Sequence, residues 1–508
     1  MLTLGQRKFG TLTLAVLGVL VAATAVISVA VPELMPWSFV ALAAAAVFLY
    51  FTSLDVTLWA WVWVLSFGLL DRPLVFIQIP GFINLTIPRI LYVVAVAAFG
   101  LYLITRKRHI RGLWKWDWII LGFLAYVAIN TSVHGWTARI PTLRTAPYYR
   151  FFEGLLLPFV MYLMLAACVR DEKNIRRALL LLTAYGWYAL YIGYLQRIAL
   201  TVDSGARALI WPSYINQPSW GRGFGIHFER ARGAYTMSNP QAILLSQLFY
   251  VCLYLIRRIR GPYRAALIVQ AFLIPPAIFF TGLRAGYLAF LLSGIVWLFW
   301  GCERRLAGVK AALAALIVML GVVALWPRLT STDRTAGGVA QVRETIARVA
   351  LIEQAFQMAG ERPLTGVGFG HFADHQMGLQ RDPASISAGA LEGVMMQHNL
   401  FLAMLAETGI VGLVGIIAVF WMLYRMSVRL YRRMPATATG WLSRDFVVLF
   451  WIALVNYLTN AMFVDPLWDI PTNGLFWCFA GLTAGYHHLL QPQSIDLAPA
   501  AAAIGPGR

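Results

Sequence analysis

The chain has 508 residues, of which 60% are hydrophobic and 12% charged, with 41 Lys and Arg against 22 Asp and Glu for a net charge of +19. A soluble domain carries about a quarter charged residues, so this composition excludes a water-soluble globular enzyme and points to a polytopic α-helical membrane protein. The basic residues lie in short runs between apolar stretches, a pattern that orients a protein in a bilayer rather than one that binds nucleic acid.

Apolar runs of about 17 to 22 residues, the length that crosses a bilayer as helix, recur along the whole chain. They lie near 11–31, 37–53, 57–71, 90–105, 117–132, 151–169, 178–196, 241–256, 265–282, 285–301, 309–326, 399–424, 446–463 and 470–488. That makes about fourteen spans, and twelve or thirteen also fit because window methods misplace ends by several residues. The first run follows Arg7 and Lys8 like a signal peptide, but no polar passenger comes after it, so it reads as a retained helix. No repeat of fixed period is present. The division expected is N-terminal transmembrane helices over 1–196, a catalytic region over 197–424 that includes a long polar loop at 327–398, C-terminal helices over 425–490, and a disordered Pro-, Ala- and Gly-rich tail over 491–508.

Charge sets the expected orientation. With the N-terminus inside, the inner loops hold Arg106-Lys107-Arg108, Arg176-Arg177, Arg257-Arg258-Ile259-Arg260, Arg304-Arg305 and Arg432-Arg433, as the positive-inside rule requires. An even span count returns the C-terminus to the cytoplasm. The 197–240 and 327–398 loops then face outward, as does the short turn holding Arg284. All five lysines (Lys8, Lys107, Lys115, Lys173 and Lys310) fall on the inner side. The outer side still carries Arg139, Arg144, Arg150, Arg222, Arg230, Arg232, Arg284, Arg343 and Arg348. Arginine's planar fork grips phosphate at two points and stays charged, so these residues are candidates for an anionic substrate.

The long outer loop ends in Gln397-His398-Asn399-Leu400-Phe401 and runs into Ala406-Glu407-Thr408-Gly409. A loop of this length is usually functional. His398 stands at the mouth of a span with the ordinary equipment of a general base. Glu407 lies about two and a half turns deeper, and an acid within a span is functional by default. Arg284 follows Thr281-Gly282-Leu283 at a tip between two spans, within reach of a lipid-linked phosphate. Arg230 and Arg232 end the preceding outer loop. Arg348 heads a stretch whose apolar Val349, Ile352, Ala355 and Phe356 suggest a helix on the membrane face. Gly366, Gly368 and Gly370 let the backbone turn sharply and approach a sugar or phosphate. No strand precedes them and no Lys-Ser/Thr follows, so they are not a nucleotide loop. Cys168, Cys252, Cys302 and Cys478 have no metal-ligand spacing and read as small buried side chains. No Asp-x-Asp or other carboxylate cluster on the outer loops suggests a bound metal.

Glu361-Arg362-Pro363-Leu364-Thr365-Gly366-Val367-Gly368-Phe369-Gly370-His371-Phe372, then His398-Asn399-Leu400-Phe401-Leu402 and Ala406-Glu407-Thr408-Gly409-Ile410-Val411-Gly412, resembles the hallmark of the O-antigen ligase and polymerase superfamily. Arg230-Ala231-Arg232-Gly233-Ala234-Tyr235 with Asn239-Pro240 resembles that family's Arg-x-x-Gly-aromatic-Asn-Pro segment. Thr281-Gly282-Leu283-Arg284 resembles its Ser-Arg helix tip, with Leu283 where Ser is usual. The similarity runs from about 230 to 424. Earlier residues match only in hydropathy and in Tyr149-Arg150-Phe151 at the start of a span.

The resemblance implies an all-α fold, a transmembrane bundle of the C-type glycosyltransferase kind with short helices in its periplasmic loop. It also implies an inverting, metal-independent transferase with no cofactor, working on the periplasmic face of the bacterial inner membrane. The donor implied is an undecaprenyl diphosphate-linked oligosaccharide. The acceptor is another lipid-linked repeat, lipid A-core or a protein hydroxyl, and a repeat-unit polymerase for exopolysaccharide or O-antigen is the reading preferred here. In that reading His398, Arg284 and Arg348 are catalytic, and Arg230, Arg232, Gly366, Gly368 and Glu407 bind diphosphate or glycan. Association with polysaccharide-export or chain-length proteins is left open. A polysaccharide flippase is the rival of another class, but flippases carry two similar halves and short loops.

Overall fold

Backbone amides in lipid must be satisfied within their own segment, which leaves the helix as the natural form for runs this apolar. The computed structural model describes residues 55–69, 86–106, 116–140, 146–169, 171–201, 209, 210, 214, 230–301, 308, 342–380, 396–435 and 440–490. Among them the regular structure is helical, with no strand. In chain order the helices are α1 (Leu58–Leu69), α2 (Ile87–Arg106), α3 (Asp117–His134), α4 (Ala146–Cys168), α5 (Glu172–Thr201), α6 (Ser238–Ile256), α7 (Pro262–Phe280) and α8 (Arg284–Trp300). There follow α9 (Val342–Glu361), α10 (Phe372–Gln380), α11 (Leu400–Arg433), α12 (Arg444–Ala461) and α13 (Ile470–Leu489).

The expected spans within the described residues coincide with α1–α8 and α11–α13, while α9 and α10 are helices of the long loop. Among the described residues seven helices are long and apolar enough to cross a membrane, and the chain is a multi-pass membrane protein. The spans expected near 11–31, 37–53 and 309–326, together with Cys302 and the tail from 491, lie outside the described residues. Cys168, Cys252 and Cys478 are buried free thiols.

Packing centres on α13 and α12. α13 lies along α4, α12 takes α8 and α6, and α6 also takes α7. Large rings fill the seams, among them Trp61, Trp63, Phe159, Tyr162, Phe446, Phe450 and Phe479. Because lipid tails are as apolar as leucine, helices also need polar contacts to hold together. Ser246 of α6 and Ser293 of α8 donate to Asn456 Oδ1 of α12 at 2.9 and 3.1 Å, and Asn456 Nδ2 donates to Gln247 Oε1 at 3.2 Å.

The two ends of the bundle differ in chemistry. At one end Arg258 reaches Ser443 and Asp445, Arg257 reaches the Gly301 carbonyl, Arg177 faces Asp55, and Arg429 lies over Trp116. These contacts place Arg177, the Arg257-Arg258 pair and Arg429 at one end. The opposite end gathers the candidate functional residues. There Arg89 pairs with Glu153 at 2.6 Å, Asn239 donates to Asp469, and Asn399 donates to the Met462 carbonyl at 3.1 Å.

Two local departures shape that second end. α4 widens into a π-helical stretch over Arg150–Leu156, the kind of bulge that often marks functional positions. α11 has 34 residues, about 51 Å at 1.5 Å per residue, more than a hydrocarbon core of about 30 Å. It breaks at Gly409, which has φ 66° and ψ −168°. The first turns of α11, headed by the Asn399 cap on the Phe401 and Leu402 amides at 2.9 and 3.1 Å, are thereby set at an angle to the rest.

Candidate active site

The candidate residues at this end of the bundle fall into two groups. Phe280 ends α7 and its carbonyl accepts the Ala231 amide at 2.9 Å, which docks the Arg230 segment onto the Thr281-Gly282-Leu283 tip. Gly282 has φ +61°, and a Cβ built on it would lie 3.0 Å from Arg230 Nε, so the Arg230 side chain runs across the tip that starts α8 with Arg284. Leu283 occupies the position where a hydroxyl was expected, and Thr281 Oγ1 instead accepts the Leu283 amide at 3.3 Å. Arg232 faces a different neighbour. Its guanidinium donates to the Tyr214 carbonyl at 3.1 Å, and Gln196 Oε1 accepts the Arg232 and Gly233 amides at 2.9 and 2.8 Å.

His398 is exposed and belongs to the other group. Its amide donates to Gln397 Oε1 at 2.9 Å, and Gln397 Nε2 donates to the Leu351 carbonyl of α9 at 3.0 Å. Leu351 is one turn from the exposed Arg348, so Gln397 ties the two candidate residues into one loop structure. α9 has two apolar faces. Ala350, Leu351, Ala355 and Met358 are buried against α11, while Ile346, Val349, Ile352 and Phe356 are exposed. The sequence pattern anticipated the exposed stripe but put Ala355 on it.

The glycine run wraps the break in α11. Val367 and Gly368 donate to the carbonyls of Ala406 and Glu407 at 3.0 and 2.9 Å, and the Ile410 amide returns to the Pro363 carbonyl at 2.8 Å. Asn130 of α3 clamps the turn, donating to Thr365 O at 2.7 Å and accepting from the Phe369 amide at 2.8 Å. Gly366 has φ +65°, and a Cβ there would stand 2.3 Å from the Glu407 carbonyl carbon. Gly368, at φ +113°, packs against His134. These glycines therefore have a packing reason for their identity. Gly366→Ala is expected to cost about 1–3 kcal/mol for the backbone conformation alone, with the clash adding to it. Thermal unfolding in detergent should show a lowered midpoint.

Beneath the turn lies a cluster the sequence reading did not assemble. Glu407 is buried, and its Oε2 accepts both Arg150 and the Gly370 amide, the latter at 3.0 Å. Arg150 also reaches Asp465 Oδ2 at 2.6 Å, and Asp465 Oδ1 caps the Leu467 amide at 3.0 Å. Arg150, Glu407, Asp465, Trp468, Gly370, Met396 and Gln397 line a narrow cleft. Arg150 stood out in the sequence only as one outer-face arginine among many and in the Tyr149-Arg150-Phe151 entry to a span, and Asp465 gave no signal at all. Neighbouring Asp469 is also buried, and burial pushes its carboxyl up to about 6 against the hydrogen bonds from Thr472 and Asn239.

A second carboxylate anchors α10. Burial would raise the Asp374 carboxyl, but the Arg139 amide, the His371 ring and the Ile140 amide outweigh it and hold it below its usual value. His371 Nδ1 lies 2.9 Å from Asp374 Oδ2 and its Nε2 lies 2.9 Å from the Gly135 carbonyl. His371 thus pins the long loop to the segment after α3. Among the described residues no group of three or more His, Cys, Asp or Glu side chains is placed to hold a metal ion.

Comparison with known proteins bears on the segment that carries these features. The family model described as O-Antigen ligase matches residues 265–417, a span that contains Arg284, Arg348, the glycine run, His398 and Glu407. No curated protein matches the chain. A solved chain from a peptidoglycan synthase complex aligns with 75% of this chain and 99% of its own length, at 16% identity and a TM-score of 0.37, a likeness too low to inform fold or function. The motif residues thus gather at one end of a helical membrane bundle, and the segment that carries most of them is the one similar to the O-Antigen ligase family.

Proposed function

We propose that this protein transfers a glycan from undecaprenyl diphosphate to an acceptor hydroxyl at the periplasmic face of the inner membrane, as a repeat-unit polymerase for exopolysaccharide or O-antigen. The observation that carries this reading is the pairing of Arg230 with the Arg284 tip at the same end of the bundle as His398. The basic runs at the opposite end support a cytoplasmic location for that end. Arginines held where translocation disfavours them suit a lipid-linked diphosphate.

In the reaction His398 takes the proton of the acceptor hydroxyl as its oxygen attacks the anomeric carbon from the face opposite the leaving group. The bond from that carbon to the lipid diphosphate oxygen breaks, and the configuration inverts. Arg230, Arg284 and Arg348 stabilise the negative charge that grows on the departing diphosphate, which favours the transition state over the ground state. Arg232, held at Tyr214, plays a lesser part. Gly366, Gly368 and Glu407 shape the turn beneath the site, and Glu407 meets a glycan only by way of the cleft.

The deciding experiment uses purified protein in vesicles with lipid-linked oligosaccharide from the host. Longer lipid-linked glycan should form, and EDTA should not stop it. Sugar lipid crossing the bilayer without any new product would overturn the reading. Loss of activity in EDTA, restored by magnesium, would remove the metal-independent mechanism. Deletion in the host separates the acceptors. Loss of a polymerase leaves core plus one repeat or no exopolysaccharide, whereas loss of a ligase strands long chains on the carrier lipid. Orientation has its own check. A thiol at His398→Cys should react with an impermeant maleimide in cells whose inner membrane is intact, and labelling only after permeabilisation reverses the topology.

A further inference from the structure

Arg150 is 1% exposed and serves two buried carboxylates. Its guanidinium lies 4.7 Å from the Phe369 ring centroid and 5.6 Å from that of Trp468. Its Nε is buried with no hydrogen-bond partner among the described residues. Stability explains such a cluster poorly. All three charged groups are buried, and replacing buried ionic groups by neutral ones of similar shape is often neutral or stabilising.

Registry explains it better. The outer segments around the site converge on this one guanidinium. Glu407 binds the glycine turn through the Gly370 amide. Asp465 fixes the corner between α12 and α13. Met396 and Gln397, the two residues before His398, line the cleft over Arg150. Asn399, the residue after it, donates to Met462, three residues before Asp465. The backbone on both sides of His398 is thus referred to the Arg150 cluster. Both Arg150 and Asp465 lie outside the 265–417 match, so the flanks of the chain complete what the matched segment begins.

We propose that Arg150, acting through Glu407 and Asp465, is a positioning residue for glycan transfer that sets where His398 stands relative to the Arg230–Arg284 tip. This rests on the reading of His398 as the base. Arg150 touches no reacting atom in this proposal; it fixes the group that does. Placement matters because an error of about 1 Å in a catalytic group costs on the order of 10²-fold in rate.

The test uses the full chain in nanodiscs with host lipid-linked oligosaccharide. Arg150→Lys keeps the charge and loses the fork that holds two carboxylates at once. The neutral triple Arg150→Met, Glu407→Gln, Asp465→Asn leaves no uncompensated charge behind. Both should lower kcat by about 10- to 100-fold with donor KM held within about twofold. The decisive readout is the double variant Arg150→Lys, His398→Ala. If Arg150 works through His398, it is no slower than His398→Ala alone, because coupled residues are non-additive. Multiplying effects in the double variant, near-wild-type kcat in either Arg150 protein, or a loss carried by donor KM overturns the proposal. Should the triple variant fail to fold, Arg150→Lys alone and in combination decides. If His398→Ala itself keeps full activity, the base reading falls and this proposal with it. An intact His398 effect beside an inert Arg150→Lys removes only the proposal.

Discussion

His398→Ala should lower kcat by about 10²–10⁴-fold, the usual contribution of a general base, while donor KM stays close to that of the unchanged protein. An acceptor sugar hydroxyl is a poor nucleophile at neutral pH, and the step that limits it is loss of its proton as the new bond forms. In the proposed mechanism the imidazole at the mouth of α11 supplies that acceptor. The fold should not suffer, because His398 is exposed and the hydrogen bond recorded for its backbone amide, to Gln397 Oε1, remains available to alanine. Expression and thermal midpoint therefore serve as the control. Added imidazole, a diffusible base, should restore part of the rate. An unchanged kcat, or a change confined to donor KM, would remove His398 from the role of base.

How much of this was legible in the sequence follows from the range of each interaction. The spans were, because lipid imposes one requirement on every residue of a run and the run reports it locally. The break at Gly409 was not. Residues 399–424 read as one span, and nothing in hydropathy separates a glycine inside a straight helix from one at a break where the 363–368 turn packs. The π-helical stretch over Arg150–Leu156 likewise leaves no mark on composition.

The Arg150 cluster shows the limit most clearly. Arg150 meets Glu407 across 257 residues and Asp465 across 315, so no local pattern joins them. Glu407 was conspicuous as an acid inside a span and invited a substrate role. The buried guanidinium beside it supplies another reason for its presence. For α9 the spacing of apolar residues identified the helix, but a helix with two apolar faces cannot say from sequence which face meets protein. Ala355 lies on the buried side because α11 is there. Between Arg230 and Arg232, two residues apart and of the same type, only the neighbours distinguish the candidates: Gly282 for one, Tyr214 for the other.

That distinction sets the second large effect. Arg284→Ala should reduce kcat/KM for the donor by about 10- to 100-fold, corresponding to the loss of one charge-assisted hydrogen bond worth about 1.5–3 kcal/mol. Both parameters should move, since the diphosphate is anionic in the bound donor and more so in the transition state. Arg284→Lys should recover part of the binding, because the charge survives, and less of the turnover, because the fork does not. Arg230→Ala should behave like Arg284→Ala, given that its side chain crosses the same tip. Arg232→Ala should cost donor kinetics little and appear instead as a modest loss of stability, through the contact with the Tyr214 carbonyl. Raising ionic strength should weaken donor binding by the unchanged protein more than by Arg284→Ala, as screening acts on a charge the variant lacks. The comparison of Arg230→Ala with Arg232→Ala is the sharpest of these measurements. If Arg232→Ala proves the more damaging to donor KM, the diphosphate lies on the Tyr214 side of the loop and the assignment of the tip is wrong.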